Sequence, residues 1–70
     1  MEIVFTSHSE QRIAKRGLLK EEILDAIKNP DKTIKKHGKY YFQKKLERGT
    51  MEVPCTKTES NIKILTVYWI

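Results

Sequence analysis

The chain has 70 residues, a formal net charge of +5 and one cysteine. Chains of this size bury only about 60% of their unfolded surface, so we expect one small domain, residues 1–70, that a partner or a homodimer would help to stabilise. Cys55 cannot form an internal disulfide and is predicted to be a small buried or half-buried filler; no metal site and no cofactor are expected. With no secretory signal and no apolar run near the roughly 20 residues of a membrane helix, we predict a cytoplasmic protein that does not bind membranes.

A short polar helix is predicted over residues 8–16, after a β-prone run at residues 3–5. Ser7 and Glu10 have the spacing of a capping box, in which two side chains satisfy backbone donors at a helix start. Gly17 suits the left-handed position that follows a last helical turn. The pattern therefore indicates a helix of little more than two turns.

His8, Arg12 and Arg16 recur every four residues and so share one face of this helix. Three cations on one face repel one another when His8 is protonated, which suggests a ridge that faces phosphate. Imidazole titrates near neutral pH and can transfer protons, while guanidinium groups hold phosphate through several donors. The alternative is a solvated basic face.

The second helix is predicted over residues 20–28. Ile23, Leu24 and Ile27 lie on one face, which indicates the side that packs on a core. Acidic residues in its first turn suit the helix dipole. Pro30 follows the last turn and ends the helix.

After Pro30 the hydrophobic period changes from about four residues to two, which predicts strands joined by short turns and therefore antiparallel neighbours. His37 precedes Gly38 and is predicted to be a turn residue. Pro54 cannot donate to a ladder, so its strand should lie at an edge or bulge there. The last strand is apolar on both faces, which predicts a central position. The four strands are expected at residues 33–37, 40–47, 50–57 and 62–70.

These elements predict an α+β fold in which two N-terminal helices pack on one face of a four-stranded antiparallel sheet. The run at residues 3–5 can add a short N-terminal strand. No repeat, low-complexity segment or linker divides the chain.

The excess of positive charge lies in residues 31–50, where seven basic residues face two acidic ones. Aromatic residues interrupt this segment. Cations neutralise phosphates and aromatic faces accept bases, so RNA is the predicted partner. The alternative is that lysines on exposed strands only discourage edge-to-edge aggregation. The predicted RNA-binding residues are Lys36, Lys39, Tyr40, Lys44, Lys45 and Arg48.

The chain resembles a family of very small prokaryotic domains grouped with the RelE/ParE-like toxins and, more widely, with the barnase/EndoU/colicin/RelE-type ribonuclease fold. The most specific motifs are His8-x3-Arg12-x3-Arg16-Gly17 and the closing Val67-Tyr68-Trp69. The resemblance extends over nearly the whole chain. It implies a RelE-like toxin of a toxin-antitoxin system that cleaves RNA, including ribosome-bound mRNA, as a metal-independent endoribonuclease and is held in check by a small acidic antitoxin.

Cleaving RNA without a metal requires a base for the ribose 2′-OH, an acid for the leaving 5′ oxygen and cations for the phosphate. His8 is the predicted proton-transfer group, Arg12 and Arg16 the phosphate ligands, and Tyr68 a further catalytic candidate. The sequence shows no carboxylate clearly opposite His8. Two alternatives stay open: a non-catalytic basic module that binds RNA or a protein, and a ParE-like toxin that acts on a protein.

Overall fold

The computed structural model describes residues 2–70, which form two helices and six strands. No helix in this described range is long and apolar enough to cross a bilayer. The α+β class is confirmed, but the sheet has six strands rather than four. In chain order the elements are β1 Glu2–Phe5, α1 Ser7–Lys15, α2 Lys20–Lys28, β2 Lys32–Lys36, β3 Lys39–Leu46, β4 Gly49–Lys57, β5 Asn61–Ile64 and β6 Tyr68–Trp69.

The sheet is mixed, in the order β1-β5-β4-β3-β2, with β6 paired to β4. Strands β2, β3, β4 and β5 pair successively with one another in antiparallel fashion, as predicted from the short turns. The N-terminal strand β1 instead runs parallel to β5, with Glu2 beside Asn61 and Phe5 beside Ile64. The short N-terminal strand that the sequence allowed is thus present. The predicted antiparallel sheet was wrong at this edge, because a long connection, unlike a short turn, allows neighbouring strands to be parallel.

The strand predicted at residues 62–70 is divided into β5 and β6. Strand β5 pairs with the C-terminal end of β4, and β6 pairs with Met51 and Glu52. Between them lies Pro54, which has no N–H to donate; its carbonyl accepts from the Leu65 N–H at 3.0 Å. Pro54 thus interrupts the pairing on this side only. The expected edge position was wrong, because β4 is paired on both sides, and its pairing with β3 continues through Pro54 without a bulge. Strand β5 lies inside the sheet, but β6 has β4 as its one partner strand among residues 2–70, so the central position predicted for the whole segment was wrong for β6.

The core lies between the helices and one face of the sheet, which we call the helix face. Helix α2 buries Ile23, Ala26 and Ile27, whereas Leu24 is only half-buried, so the packed side is displaced from the predicted one toward Ala26. Cys55 is fully buried, as expected of a filler, and burial raises the pKa of its thiol to about 12. The strands contribute alternating residues to this core: Phe42, Met51, Val53, Cys55, Ile62 and Ile64.

Helix α1 begins one residue earlier than predicted because Thr6 caps it. The Thr6 Oγ1 accepts from the Ser9 N–H at 3.1 Å and donates to the Ile64 carbonyl at 2.9 Å, which fixes the helix to β5. The predicted capping box of Ser7 and Glu10 was wrong. Ser7 is the first helical residue, and Glu10 pairs with Lys20 at 2.9 Å.

Candidate nucleic-acid interface

The register of the strands arranges the other face of the sheet, which we call the uncovered face, in rows that run across the strands. Three rows follow one another along β3, about 6.8 Å apart at two residues per row. Within a row, neighbouring Cβ atoms are about 4.5–5.5 Å apart. The carboxylate row contains Lys32, Gln43, Glu52 and Tyr68; the apolar row contains Ile34, Tyr41 and Pro54; the lysine row contains Lys36, Lys39, Thr56 and Lys63.

Hydrogen bonds hold the Glu52 carboxylate at the centre of the carboxylate row. Gln43 Nε2 donates to Glu52 Oε1 at 2.8 Å, and the Tyr68 hydroxyl donates to Glu52 Oε2. Burial, together with this bond to Glu52, raises the pKa of Tyr68 to about 12. The phenol therefore keeps its proton at neutral pH. One lone pair on each carboxylate oxygen is left to accept a further proton or hydrogen bond.

An open groove of about 400 Å³ crosses all three rows and is lined by Ile34, Lys36, His37, Tyr41 and Glu52. His37 forms the β2–β3 turn with φ 53°, and Gly38 follows with φ 73°. Two successive positive φ values are characteristic of a type I′ hairpin turn, so the turn prediction is confirmed. The groove therefore combines an imidazole, a carboxylate, a lysine and an aromatic ring. Nowhere in residues 2–70 do three or more His, Cys, Asp or Glu side chains form a metal-ligating group.

Sequence reasoning missed two of these groove residues, His37 and Glu52. His37 was assigned to a turn alone, which is its backbone function but leaves out where its side chain lies. Glu52 had no assignment because nothing beside it in the sequence marks it. The neighbours that distinguish it, Gln43 and Tyr68, come from two other strands. Alternation along each strand could have placed them on one face, but only the register brings them together.

The ridge predicted on α1 is present but is not joined to Tyr68 by hydrogen bonds. His8 is exposed, while Arg12 and Arg16 are half-buried. Arg16 Nε donates to the Val67 carbonyl at 3.2 Å, one residue before Tyr68. The Tyr68 side chain lies on the uncovered face, bound to Glu52. In the described part of the chain, the His8 and Arg12 side chains make no hydrogen bond or ion pair.

The residues predicted to bind RNA are divided between the two faces of the sheet. Lys36, Lys39 and Lys45 alternate with the core residues and lie exposed on the uncovered face. Tyr40 lies on the helix face, stacked on Phe42 with ring centroids 6.1 Å apart. The Lys35 and Lys57 ammonium groups lie 5.4 and 5.5 Å from the centre of the Tyr40 ring. Tyr40 is thus occupied by contacts within the fold.

Lys44 also lies on the helix face and is bound to acidic and carbonyl groups. Its Nζ donates to the Asn29 carbonyl at 2.7 Å, near the end of α2. The same atom is 3.6 Å from an Asp25 carboxylate oxygen and 3.9 Å from one of Asp31. Lys44 therefore stabilises the C-terminus of α2, where the helix dipole favours a cation.

Arg48, in the β3–β4 turn, connects three parts of the chain. Its Nη1 donates to the Gly17 carbonyl at 3.1 Å, its Nη2 is 2.5 Å from Glu22 Oε2, and its guanidinium lies 5.8 Å from the Trp69 ring centre. Burial acts to raise the pKa of Glu22, but hydrogen bonds from the Leu19 N–H and from Arg48 outweigh it, so that pKa is lowered. The positive charge of Arg48 thus stabilises contacts within the fold.

Comparison with known families gave one match, which covers nearly the whole chain. Residues 5–69 match the family described as a domain of unknown function, DUF4258. Neither the curated proteins nor the solved structures contain a match to the chain.

Proposed function

Because the chain belongs to the DUF4258 family, whose description assigns no activity, we propose a function from the groove: the chain binds single-stranded RNA on the uncovered face and cleaves it as a metal-independent endoribonuclease. One observation carries this proposal. The groove is lined by the Glu52 carboxylate and the His37 imidazole together with Lys36 and Tyr41. RNA carries its own nucleophile, the 2′-OH, so the protein has to supply a base, an acid and positive charge.

In the proposed reaction Glu52 removes the proton of a ribose 2′-OH, and O2′ attacks the adjacent phosphorus. The bond between phosphorus and O5′ breaks, and O5′ takes up a proton that His37, at the other end of the groove, supplies through solvent. The products are a 2′,3′-cyclic phosphate and a 5′-hydroxyl. Lys36 lines the groove at its other end and adds positive charge that attracts the RNA backbone to this face. No atom or electron is required beyond those of the RNA and these side chains.

Gln43 and Tyr68 act in this reaction through Glu52. Each donates a hydrogen bond to a different carboxylate oxygen, which fixes the plane of the carboxylate. Tyr68, predicted from the sequence as a catalytic candidate, becomes a positioning residue in this scheme. The resemblance to RelE/ParE-like toxins independently supports cleavage of RNA. It also provides an alternative set of catalytic residues on α1: His8, Arg12 and Arg16.

The same resemblance supports a toxin-type activity controlled by a small acidic antitoxin. Uncontrolled cleavage of RNA stops growth, so such a chain requires an inhibitor. A net charge of +5 favours an acidic one. Expression of the chain alone should then slow growth, and expression beside its acidic partner should restore it.

The experiment measures cleavage of a 5′-labelled RNA in the presence of a chelator, which inhibits contaminating metal-dependent nucleases. Glu52→Gln and His37→Gln should each lower the rate by about 10²- to 10⁴-fold, as loss of a general base or acid does. Glu59→Gln, in the exposed turn before β5, is the matched control and should cleave like the wild type. His8→Gln tests which surface cleaves the RNA. Full activity of this variant supports the groove as the cleavage site, whereas a loss of activity in His8→Gln alone assigns cleavage to α1.

Wild-type protein that cleaves RNA neither alone nor with translating ribosomes, and that does not slow growth, would refute the endoribonuclease proposal. RNA binding measured on the same sample then decides the alternative. Binding without cleavage identifies a non-catalytic module of the same fold, and absence of both removes RNA as the partner.

A further inference from the structure

We propose that the lysine row on the uncovered face, formed by Lys36, Lys39 and Lys63 around Thr56, is a phosphate subsite separate from the carboxylate row. The natural ligand is then a single-stranded RNA with several phosphates rather than one phosphodiester. This inference deepens the proposed function and rests on it only where cleavage is measured. Its binding arm is independent of catalysis.

The three lysines of the row repel one another. Lys36 and Lys39 are directly opposite each other across β2 and β3, and Lys39 and Lys63 flank Thr56 across β3, β4 and β5. Like charges directly opposite each other destabilise a sheet. All three lysines are exposed, and in residues 2–70 none forms an ion pair that relieves the repulsion. A bound polyanion removes this cost.

Protection of a sheet edge does not explain the row. Lysines on an edge strand discourage pairing with another chain, and Lys36 on β2 is at such an edge. Lys39 on β3 and Lys63 on β5 are not, because each of these strands is already paired on both sides. Two of the three lysines therefore have no edge to protect.

The cations that stabilise this fold differ from the lysine row in having carboxylates beside them. Lys20, Lys44 and Arg48 all lie beside carboxylates, at 2.9, 3.6 and 2.5 Å respectively. In the described chain the lysine row has no such carboxylate. Its positive charge is thus left facing solvent on the face that carries the groove, where it can neutralise phosphates.

The apolar row between the two polar rows supplies a place for a base. Tyr41 is half-buried and lies directly opposite Pro54, and aromatic rings accept stacked bases with little sequence preference. The lysine row is about 14 Å from the carboxylate row, four residues at about 3.4 Å each. A short extended stretch of RNA along β3 places one phosphate on the lysines, a base on Tyr41 and another phosphate at Glu52.

The binding arm uses a labelled 2′-O-methyl hexanucleotide, which the protein cannot cleave through its 2′ oxygen, and measures anisotropy between about 50 and 200 mM salt. Lys39→Ala and Lys63→Ala should each reduce the slope of log K against log salt by about 0.7, one phosphate contact on a single strand. Lys28→Ala, an exposed lysine on α2, removes the same charge and should leave the slope unchanged. Tyr41→Ala should weaken binding by about 5- to 150-fold, whereas Tyr41→Phe keeps the ring and the affinity.

The kinetic arm compares a dinucleotide with one phosphate and a hexaribonucleotide. Lys39→Ala should lower kcat/KM for the hexaribonucleotide and leave the dinucleotide unchanged, because one phosphate cannot occupy both rows. Equal slopes for Lys39→Ala, Lys63→Ala and Lys28→Ala would overturn the subsite. Binding of polyglutamate as tight as that of the hexanucleotide would also overturn it and assign the row to an acidic protein. If no RNA is cleaved but the slopes change as expected, the proposed cleavage fails and the subsite stands.

Discussion

Replacing Arg48 with alanine separates cations that stabilise the fold from cations that are free to bind RNA. The sequence alone places Arg48 among the RNA-binding residues. In the structure its guanidinium bonds the Gly17 carbonyl, pairs with Glu22 and lies over Trp69. We therefore expect Arg48→Ala to lower the free energy of unfolding while leaving the salt dependence of RNA binding unchanged.

The magnitude follows from these three contacts. An exposed ion pair contributes about 0.2–1 kcal/mol, a neutral hydrogen bond about 0.5–1.5 kcal/mol and a partly exposed cation–π contact about 0.5–1 kcal/mol. Contacts that share one side chain are not independent, so the expected loss is about 1–3 kcal/mol. A domain of this size loses about 4–8 °C in Tm for each kcal/mol. Arg48→Lys keeps the positive charge but lacks the several N–H donors of the planar guanidinium group. It should therefore recover only part of the lost unfolding free energy.

The pH dependence of this loss provides a second check. The pKa of Glu22 is lower in the folded chain, in part because Arg48 binds the carboxylate. Its stabilising contribution is therefore present above the unfolded pKa and disappears as the pH falls through the folded one. The difference in unfolding free energy between wild type and Arg48→Ala, from urea titrations, should shrink between about pH 7 and pH 3. An unchanged stability, or a reduced salt slope for RNA binding, would refute the assignment of Arg48 to the fold.

Two further predictions concern stability. Ile23 is fully buried on α2, so Ile23→Ala should cost about 2–5 kcal/mol and Ile23→Val about 0.5–1.5 kcal/mol in urea titration; a cost for alanine no greater than for valine would mean that the site collapses around the smaller residue. The pKa of Tyr68 rises from 10.0 to about 12 on folding, so between these values the unfolded chain has released a proton that the folded chain keeps. Stability contributed by the phenol therefore falls as the pH rises from about 10 to 12, and the advantage of wild type over Tyr68→Phe should shrink there; a constant advantage would contradict the shift.

Much of the fold follows from local patterns in the sequence. The second helix was predicted with its observed bounds, because its start, apolar spacing and closing Pro30 all lie within one short segment. The turn at His37 was predictable for the same reason. The pairing of β1 with β5 was not, since nothing in either strand specifies a neighbour so distant in the chain. Likewise, Pro54 suggested an edge strand or a bulge, but not that the last strand is divided into β5 and β6 opposite it.

The candidate site was harder to predict because it is assembled by register. The spacing of His8, Arg12 and Arg16 is visible in the sequence, and the hypothesis of a ridge on α1 followed from it. Glu52 gains its significance from Gln43 and Tyr68, which reach it from two other strands. Composition correctly located the excess of lysine and arginine, but it could not distinguish charges bound to carboxylates from those that are free.

The parallel pairing of β1 with β5 has a consequence for how the chain folds during its synthesis. Strand β1 is translated before the two helices and the other strands, yet its partner β5 is translated after both helices and three of those strands. The hairpin of β2 and β3 and its pairing with β4 are local contacts that can form early, because short loops cost little entropy to close. Until β5 emerges, the apolar side chains of Ile3 and Phe5 have no strand to join. Strand β1 is therefore among the last elements of the domain to pair, and its apolar side chains stay exposed to aggregation until β5 has been made.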